Sequence, residues 1–185
     1  VVIVAGAAGI SSGIGVMKGI IDSAPDISKI DVTPTGYSTT VLAANGEETA
    51  TLVGQGANRQ YVTIDEIPLD LQHAFVAIED ERFYDHNGID LHGIGRAFIS
   101  GLSKGRFSEG ASTITQQLIK NNVLTSWTSE TSFVEKLQRK IQEQYLALEL
   151  EKQVNDKDWI LENYMNSVNL GANTLGVQAA SKKYF

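Results

Sequence analysis

The chain has 185 residues, 42% of them hydrophobic and 20% charged, which suits a folded domain with a substantial core and not a disordered polymer. Its formal net charge of −7 argues against a nucleic-acid binder, whose affinity would rest on lysine and arginine at phosphates. Cysteine is absent, so neither a disulfide framework nor a thiolate metal site is available.

The chain opens at Val1 without a methionine and stops at Phe185 in mid-pattern, and we expect it to be a piece of something longer. Val1 to Ile21 is apolar or small throughout, with Lys18 as its only charge. A helix spanning the hydrocarbon core needs roughly 20 such residues, so residues 1–22 are expected to be a transmembrane anchor cut at its start. Small residues recurring at Gly9 and Gly13, and at Ser11, Gly15 and Gly19, suit helix packing in a membrane. Two rival readings exist. One is a signal-peptide core. The other takes VVIVAG as a buried strand and Gly9, Gly13 and Gly15 as a nucleotide-binding turn. That second reading requires a βαβ unit, yet Pro25 and Pro34 interrupt the next stretch of chain, and no Tyr-x-x-x-Lys pair occurs.

Residues 23–65 are rich in threonine and glycine and are expected to form a small β connector, with Asn45-Gly46 turning a hairpin between YSTTVLAA and ETATLV. From residue 66 to 185 the pattern becomes helical. Pro68 suits a first turn, and Leu71, Ala74, Phe75 and Ile78 recur at helical spacing up to Glu79. A second helix starts near Asp90 and carries Ile94, Ala97, Phe98 and Leu102. The polar, glycine-flanked stretch from Lys104 to Gly110 is expected to be a mobile loop. A third helix is capped by Ser112 or Thr113. The longest is expected from about Ser132 to Lys152, with Phe133, Leu137, Ile141, Tyr145 and Leu148 as its buried stripe. Another carries Trp159, Ile160, Tyr164 and Met165. The fold class is therefore mainly α.

Several strings could carry chemistry. Glu79 opens EDERFYDHNG; a carboxylate at a helix C-terminus faces the negative end of the dipole, which suits a proton acceptor. Taken alone, this string reads as a solvated helix end. Glu143 lies in RKIQEQYLALELE, with Arg139 and Lys140 one turn before it, so all three can point at one ligand or simply pair with each other. GASTITQQLIKN places Gln116, Gln117, Lys120 and Asn121 on one helix whose start, Ser112 and Thr113, offers free backbone N–H groups to an anion. His73, His86 and His92 lack tight ligand spacing, and structural roles are expected for them rather than a metal site.

These strings, followed by WILENYMNSVNLG and GVQAASKKYF, occur in this order and close succession. Together they resemble glycosyltransferase family 51, the peptidoglycan glycosyltransferases of class A penicillin-binding proteins and monofunctional polymerases. The resemblance covers about Tyr61 to Phe185. It implies a lysozyme-like glycosyltransferase fold with a small membrane-associated lobe, whose last helices lie beyond Phe185. It implies a single-pass protein of the cell membrane with its catalytic domain on the extracellular or periplasmic face. The implied reaction joins lipid II to a growing glycan chain held on a polyprenyl pyrophosphate, making a β-1,4 bond with inversion. By the same resemblance Glu79 is the general base and Glu143 assists at the second site. Lys140, Arg139 and Lys120 hold pyrophosphate, and Ser112, Thr113, Gln116, Gln117 and Asn121 line the donor site. Membrane lipids are implied contacts and moenomycin an implied inhibitor. No cofactor is required, though a divalent cation, Mg or Mn, could bridge pyrophosphate and Glu143. Two alternatives stay open: a lysozyme-like hydrolase on the same fold, and an inactive membrane-anchored scaffold.

Overall fold

The computed structural model describes residues 13–29, 31–54, 58–104 and 110–185. Residues 13–22 are helical (α1), and they are followed by a short 3-10 turn at Ile27–Lys29 that packs against the long helix Phe133–Val154. Most of the expected anchor, residues 1–12, lies outside the described residues. Among those described, no helix is long and apolar enough to cross a membrane. The stretch 105–109 of the expected mobile loop also lies outside them.

The connector contains one antiparallel hairpin, β1 (Thr39–Leu42) and β2 (Glu48–Leu52), with Thr39 opposite Leu52 and Thr40 opposite Thr51. Asn45-Gly46 makes the turn: Gly46 sits at φ 86, its N–H donates to Ala43 O at 2.9 Å, and Asn45 Oδ1 accepts from Glu47 N. Beyond the hairpin, Asn166 clamps the extended chain by accepting from Val62 N at 3.0 Å and donating to Val62 O at 2.7 Å.

The remaining helices are α2 (Leu69–Glu79), α3 (Leu91–Lys104), α4 (Ile114–Asn122), α5 (Phe133–Val154), α6 (Lys157–Ser167) and α7 (Val177–Tyr184). Their limits follow capping chemistry. Thr113 caps α4 by accepting from Gln116 N, and Asp156 caps α6 by accepting from Trp159 N. Ser132 and Glu135 form a reciprocal capping box on α5, which ends where Asn155 turns left-handed at φ 49. The core forms where α4 packs against both α5 and α6. Ile114, Leu118 and Ile119 of α4 meet Leu146 and Leu150 of α5 and Ile160, Leu161, Tyr164 and Met165 of α6 in one buried cluster. Phe83, from the loop after α2, joins it fully buried.

The buried face of α5 differs from expectation. Glu143, Leu146, Ala147, Leu150 and Glu151 face inward, while Phe133, Leu137 and Leu148 are exposed and Ile141 and Tyr145 only half-buried. The apolar pattern is broader than the contact, and the neighbouring helices settle which part is covered. Glu143 can occupy the inward face because two cations accompany it. Similarly, α2 buries Gln72 and Val76, and Ile78 is 81% exposed. Gln72 is accommodated by donating to the carbonyls of Ile64 and Ile67.

Candidate active site

Glu79 is the last residue of α2 and is exposed. Its Oε2 accepts from Gln117 Nε2 at 2.9 Å, and Gln117 Oε1 accepts from the Tyr164 hydroxyl at 3.1 Å. Burial, and then the charge of Glu79, holds the Tyr164 hydroxyl protonated well beyond the usual tyrosine range. That hydroxyl is a permanent donor, so it fixes the Gln117 carbonyl towards itself and the Gln117 amide group towards Glu79.

Asp80, the next residue, is buried and faces other partners. Its Oδ2 accepts from Ile114 N at 3.0 Å, at the start of α4, where a carboxylate also meets the positive end of the helix dipole. His86 Nε2 lies 2.9 Å from Asp80 Oδ1, and His86 Nδ1 accepts from Gly88 N at 3.2 Å, so the ring hydrogen directed at Asp80 sits on Nε2. Sequence reasoning missed Asp80. Inside an acidic triplet, nothing in the pattern separates the buried member from the exposed ones.

Gly88 anchors the same loop. At φ 90 its backbone runs against α5, and a Cβ there would lie 2.6 Å from Ala147 O. The Gly88 carbonyl accepts from Thr113 Oγ1 at 2.8 Å and from Gln116 Nε2 at 3.4 Å. Thr113 and Gln116 are therefore buried in the seam between the loop and α4, not standing free. Lys157 ties the loop from below, donating to His86 O at 2.6 Å and to Glu151 Oε1, with its ammonium 4.5 Å from the centre of the Phe83 ring. Farther along, Arg82 pairs with Asp90 at 2.5 Å, and this guanidinium draws the Asp90 pKa down to about 2.

Glu143 is almost completely buried, with 1% of its surface exposed. Oε1 pairs with Arg139, which also donates through Nε to Glu130 at 2.9 Å. Lys140 Nζ lies 2.8 Å from Oε2 but donates its hydrogen bond to Ser112 Oγ at 2.7 Å, leaving Oε2 in an ion pair without a hydrogen bond of its own. Ser112 and Thr113 line a pocket of about 240 Å³ together with Glu79, Arg82 and Arg96. The structure thus joins Glu79 to Gln117, and Arg139, Lys140 and Glu143 to Ser112, on the two sides of the start of α4. Lys120 and Asn121 lie about two turns further along α4, both half-buried. His73 and His92 are exposed.

An exposed carboxylate in a pocket that arginine side chains also line can accept a proton, while the guanidinium groups meet the charge of an anion. The family comparison bears on that chemistry directly. A family model described as Transglycosylase matches residues 45–185. The chain belongs to the transglycosylase family. Among its relatives, penicillin-binding protein 1A of Clostridium novyi (strain NT) is 41% identical over 176 residues, covering 93% of this chain and 20% of that protein. Penicillin-binding protein 1A/1B of Bacillus subtilis (strain 168) is 39% identical over 166 residues, 90% of this chain and 17% of its own length. Penicillin-binding protein 1A of Clostridium perfringens (strain 13 / Type A) is 51% identical over 132 residues, 69% of this chain and 18% of its own. The transglycosylase chain spans about a fifth of the length of these relatives or less. The match to the family model begins within the turn of the hairpin, so the second strand and everything after it belong to the transglycosylase region.

Proposed function

We propose that this domain polymerises lipid II, adding it to a glycan chain held on a polyprenyl pyrophosphate, by inverting transfer on a lysozyme-like scaffold. The carrying observation is the exposed Glu79 carboxylate, oriented by Gln117, on the same pocket as Ser112, which Lys140 links to Glu143. In this reading the sugar 4-hydroxyl gives its proton to Glu79 as its oxygen attacks the anomeric carbon. The bond from that carbon to the pyrophosphate breaks on the opposite face. Pyrophosphate leaves as an anion, so cations serve it better than a second acid would. Lys140, whose side chain is 42% exposed, and Arg139 supply positive charge there, with Lys120 and Asn121 further along α4. Glu143 acts by holding Arg139 and Lys140 in place. It does not fit as a ligand for a divalent cation, because both its oxygens face cations already. Among the described residues no group of three or more histidine and carboxylate side chains is gathered for a metal, and we assign no step to one.

The membrane setting belongs to the same proposal: residues 1–22 as a single-pass anchor, the domain on the outer face, and moenomycin competing with the donor chain. The exposed apolar residues at the start of α5, Phe133 and Val134, suit contact with a lipid surface. Incubating the full-length protein with labelled lipid II, with and without moenomycin, tests the reading. Long glycan products that moenomycin suppresses support it. Cleavage of preformed glycan without polymer would establish the hydrolase instead, and neither activity would leave a scaffold.

A further inference from the structure

Away from Glu79, a second pocket of about 360 Å³ opens beside the hairpin, lined by Tyr37, Ser38, Arg59, Gln60, Tyr61 and Gln178 among others. It shares no lining residue with the pocket at Glu79. Its size lies within the range of small-molecule sites. Among the described residues Arg59 is the only charged one of the lining; it is 6% exposed, yet its guanidinium has no ion pair there and its buried Nε no hydrogen-bond partner. Buried arginines are ordinarily paired, because an uncompensated charge out of water is costly. The backbone here is well satisfied: Arg59 O accepts from Ser38 N at 2.8 Å and from Ser38 Oγ, and residue 59 bridges to Leu175. The side chain is thus held in place by a fixed frame with its own demand unmet.

The other lining groups are neutral. Tyr37 and Tyr61 meet edge to face with ring centres 6.1 Å apart. The Tyr61 hydroxyl is committed to Glu162, whereas the Tyr37 hydroxyl makes no hydrogen bond among the described residues. Burial raises the Tyr37 pKa, keeping that hydroxyl a donor, and burial pulls on Arg59 in the opposite sense without neutralising a guanidinium.

We propose that the Arg59 pocket is a binding site for a monocarboxylate carried on a small polar body, such as the end of a short peptide. The planar guanidinium takes the carboxylate, the Tyr37 hydroxyl adds a donor, and the amides of Gln60 and Gln178 meet the neutral remainder. A single cation in the described lining matches one negative charge better than a phosphate dianion. The site is independent of the assignment of Glu79.

The experiment titrates the whole chain with N-acetylglycine, with N-acetylglycinamide and with inorganic phosphate, following the Arg59 Nε–H and Tyr37 ring signals by NMR. The expected result is a saturable shift with N-acetylglycine only. Arg59→Met should weaken it about tenfold or more, the scale of a charge-assisted contact. Should that variant fail to fold, Tyr37→Phe, which keeps the ring, is expected to weaken binding by a smaller factor. Equal shifts with the amide, tighter binding of phosphate, or no saturable shift of Arg59 in the parent chain would each overturn the proposal. Polymerisation of lipid II is read separately, so loss of one reading leaves the other standing.

Discussion

Glutamine at position 79 would retain the side chain's length and its bond from Gln117 but could not take a proton. Glu79→Gln is therefore expected to melt like the parent and to polymerise lipid II about a hundredfold more slowly or worse, the scale of general-base catalysis. Asp80→Asn makes the sharper contrast. Asp80 accepts from Ile114 N and faces the His86 ring, so the substitution should cost about 1–3 kcal/mol of stability, visible as a lowered Tm. A normal melt with abolished activity at position 80, alongside an active Glu79→Gln, would show that the proton acceptor is Asp80. Lys140→Met should lose about 3 kcal/mol of transition-state stabilisation, near a hundredfold in rate. Its Tm should fall as well, since the substitution leaves the buried Glu143 Oε2, which has no hydrogen bond, without its cation; the rate is therefore compared at a temperature where the variant is fully folded. Near-normal polymerisation by that variant would leave Lys140 a mere partner of Glu143. At this scale the sequence made charge and order legible, and left partners hidden. Gln117 could be named as a polar residue of α4, but its link from Tyr164 to Glu79 joins three separate segments, which no local spacing encodes.

The loop between α2 and α3 shows how an element without regular structure acquires a fixed shape. Its carbonyls at His86 and Gly88 are claimed by Lys157, Thr113 and Gln116, and Gly88 closes on α5 with no room for a side chain. Gly88→Ala combines a positive φ with a 2.6 Å contact to the Ala147 carbonyl, and it should lower stability by more than about 2 kcal/mol. Circular dichroism melting checks this directly; an unchanged Tm would mean that the loop can shift away from α5 freely. The Arg82–Asp90 pair gives the loop an acid limit. Because the folded-state pKa of Asp90 is depressed from 3.8 to about 2, its contribution is complete above about pH 4 and disappears as pH falls through 2. With allowance for solvent screening this is worth roughly 1 kcal/mol, so Asp90→Asn should flatten the stability profile between about pH 4 and 2. Two helix starts were legible because their caps are local: Thr113 and Ser132 each bond within their own first turn. The inward face of α5 was not. Counting apolar residues favours Phe133, Leu137 and Leu148, whereas α4 packs against α5 where Glu143, Leu146 and Leu150 are buried.

For the whole molecule, the exposed start of α5 becomes informative because the domain is proposed to act on a lipid-linked substrate. Phe133, Val134 and Leu137 are 77%, 69% and 49% exposed, an apolar surface that the core does not use. The hydropathy of the first residues points to the membrane, but the apolar spacing along α5 assigns this second surface to the core and so hides it. If it touches lipid, each side chain should contribute about 1 kcal/mol, part of the value of full burial, or about 3 kcal/mol together. The test uses neutral phosphatidylcholine vesicles, since a formal net charge of −7 would repel an anionic surface. Removing residues 1–12 first takes away most of the proposed anchor while leaving the contacts of Gln142 with Ile20 and Ser23 in place. In that background Phe133→Ser, Val134→Ser and Leu137→Ser combined should reduce partitioning about a hundredfold, the equivalent of about 3 kcal/mol. Stability should hardly change, because these residues are exposed in the folded state. High salt should not restore or abolish the residual binding, as the contact is apolar. Equal sedimentation of the shortened chain and its triple variant would show that the start of α5 faces water, and lipid contact would then have to come from another surface.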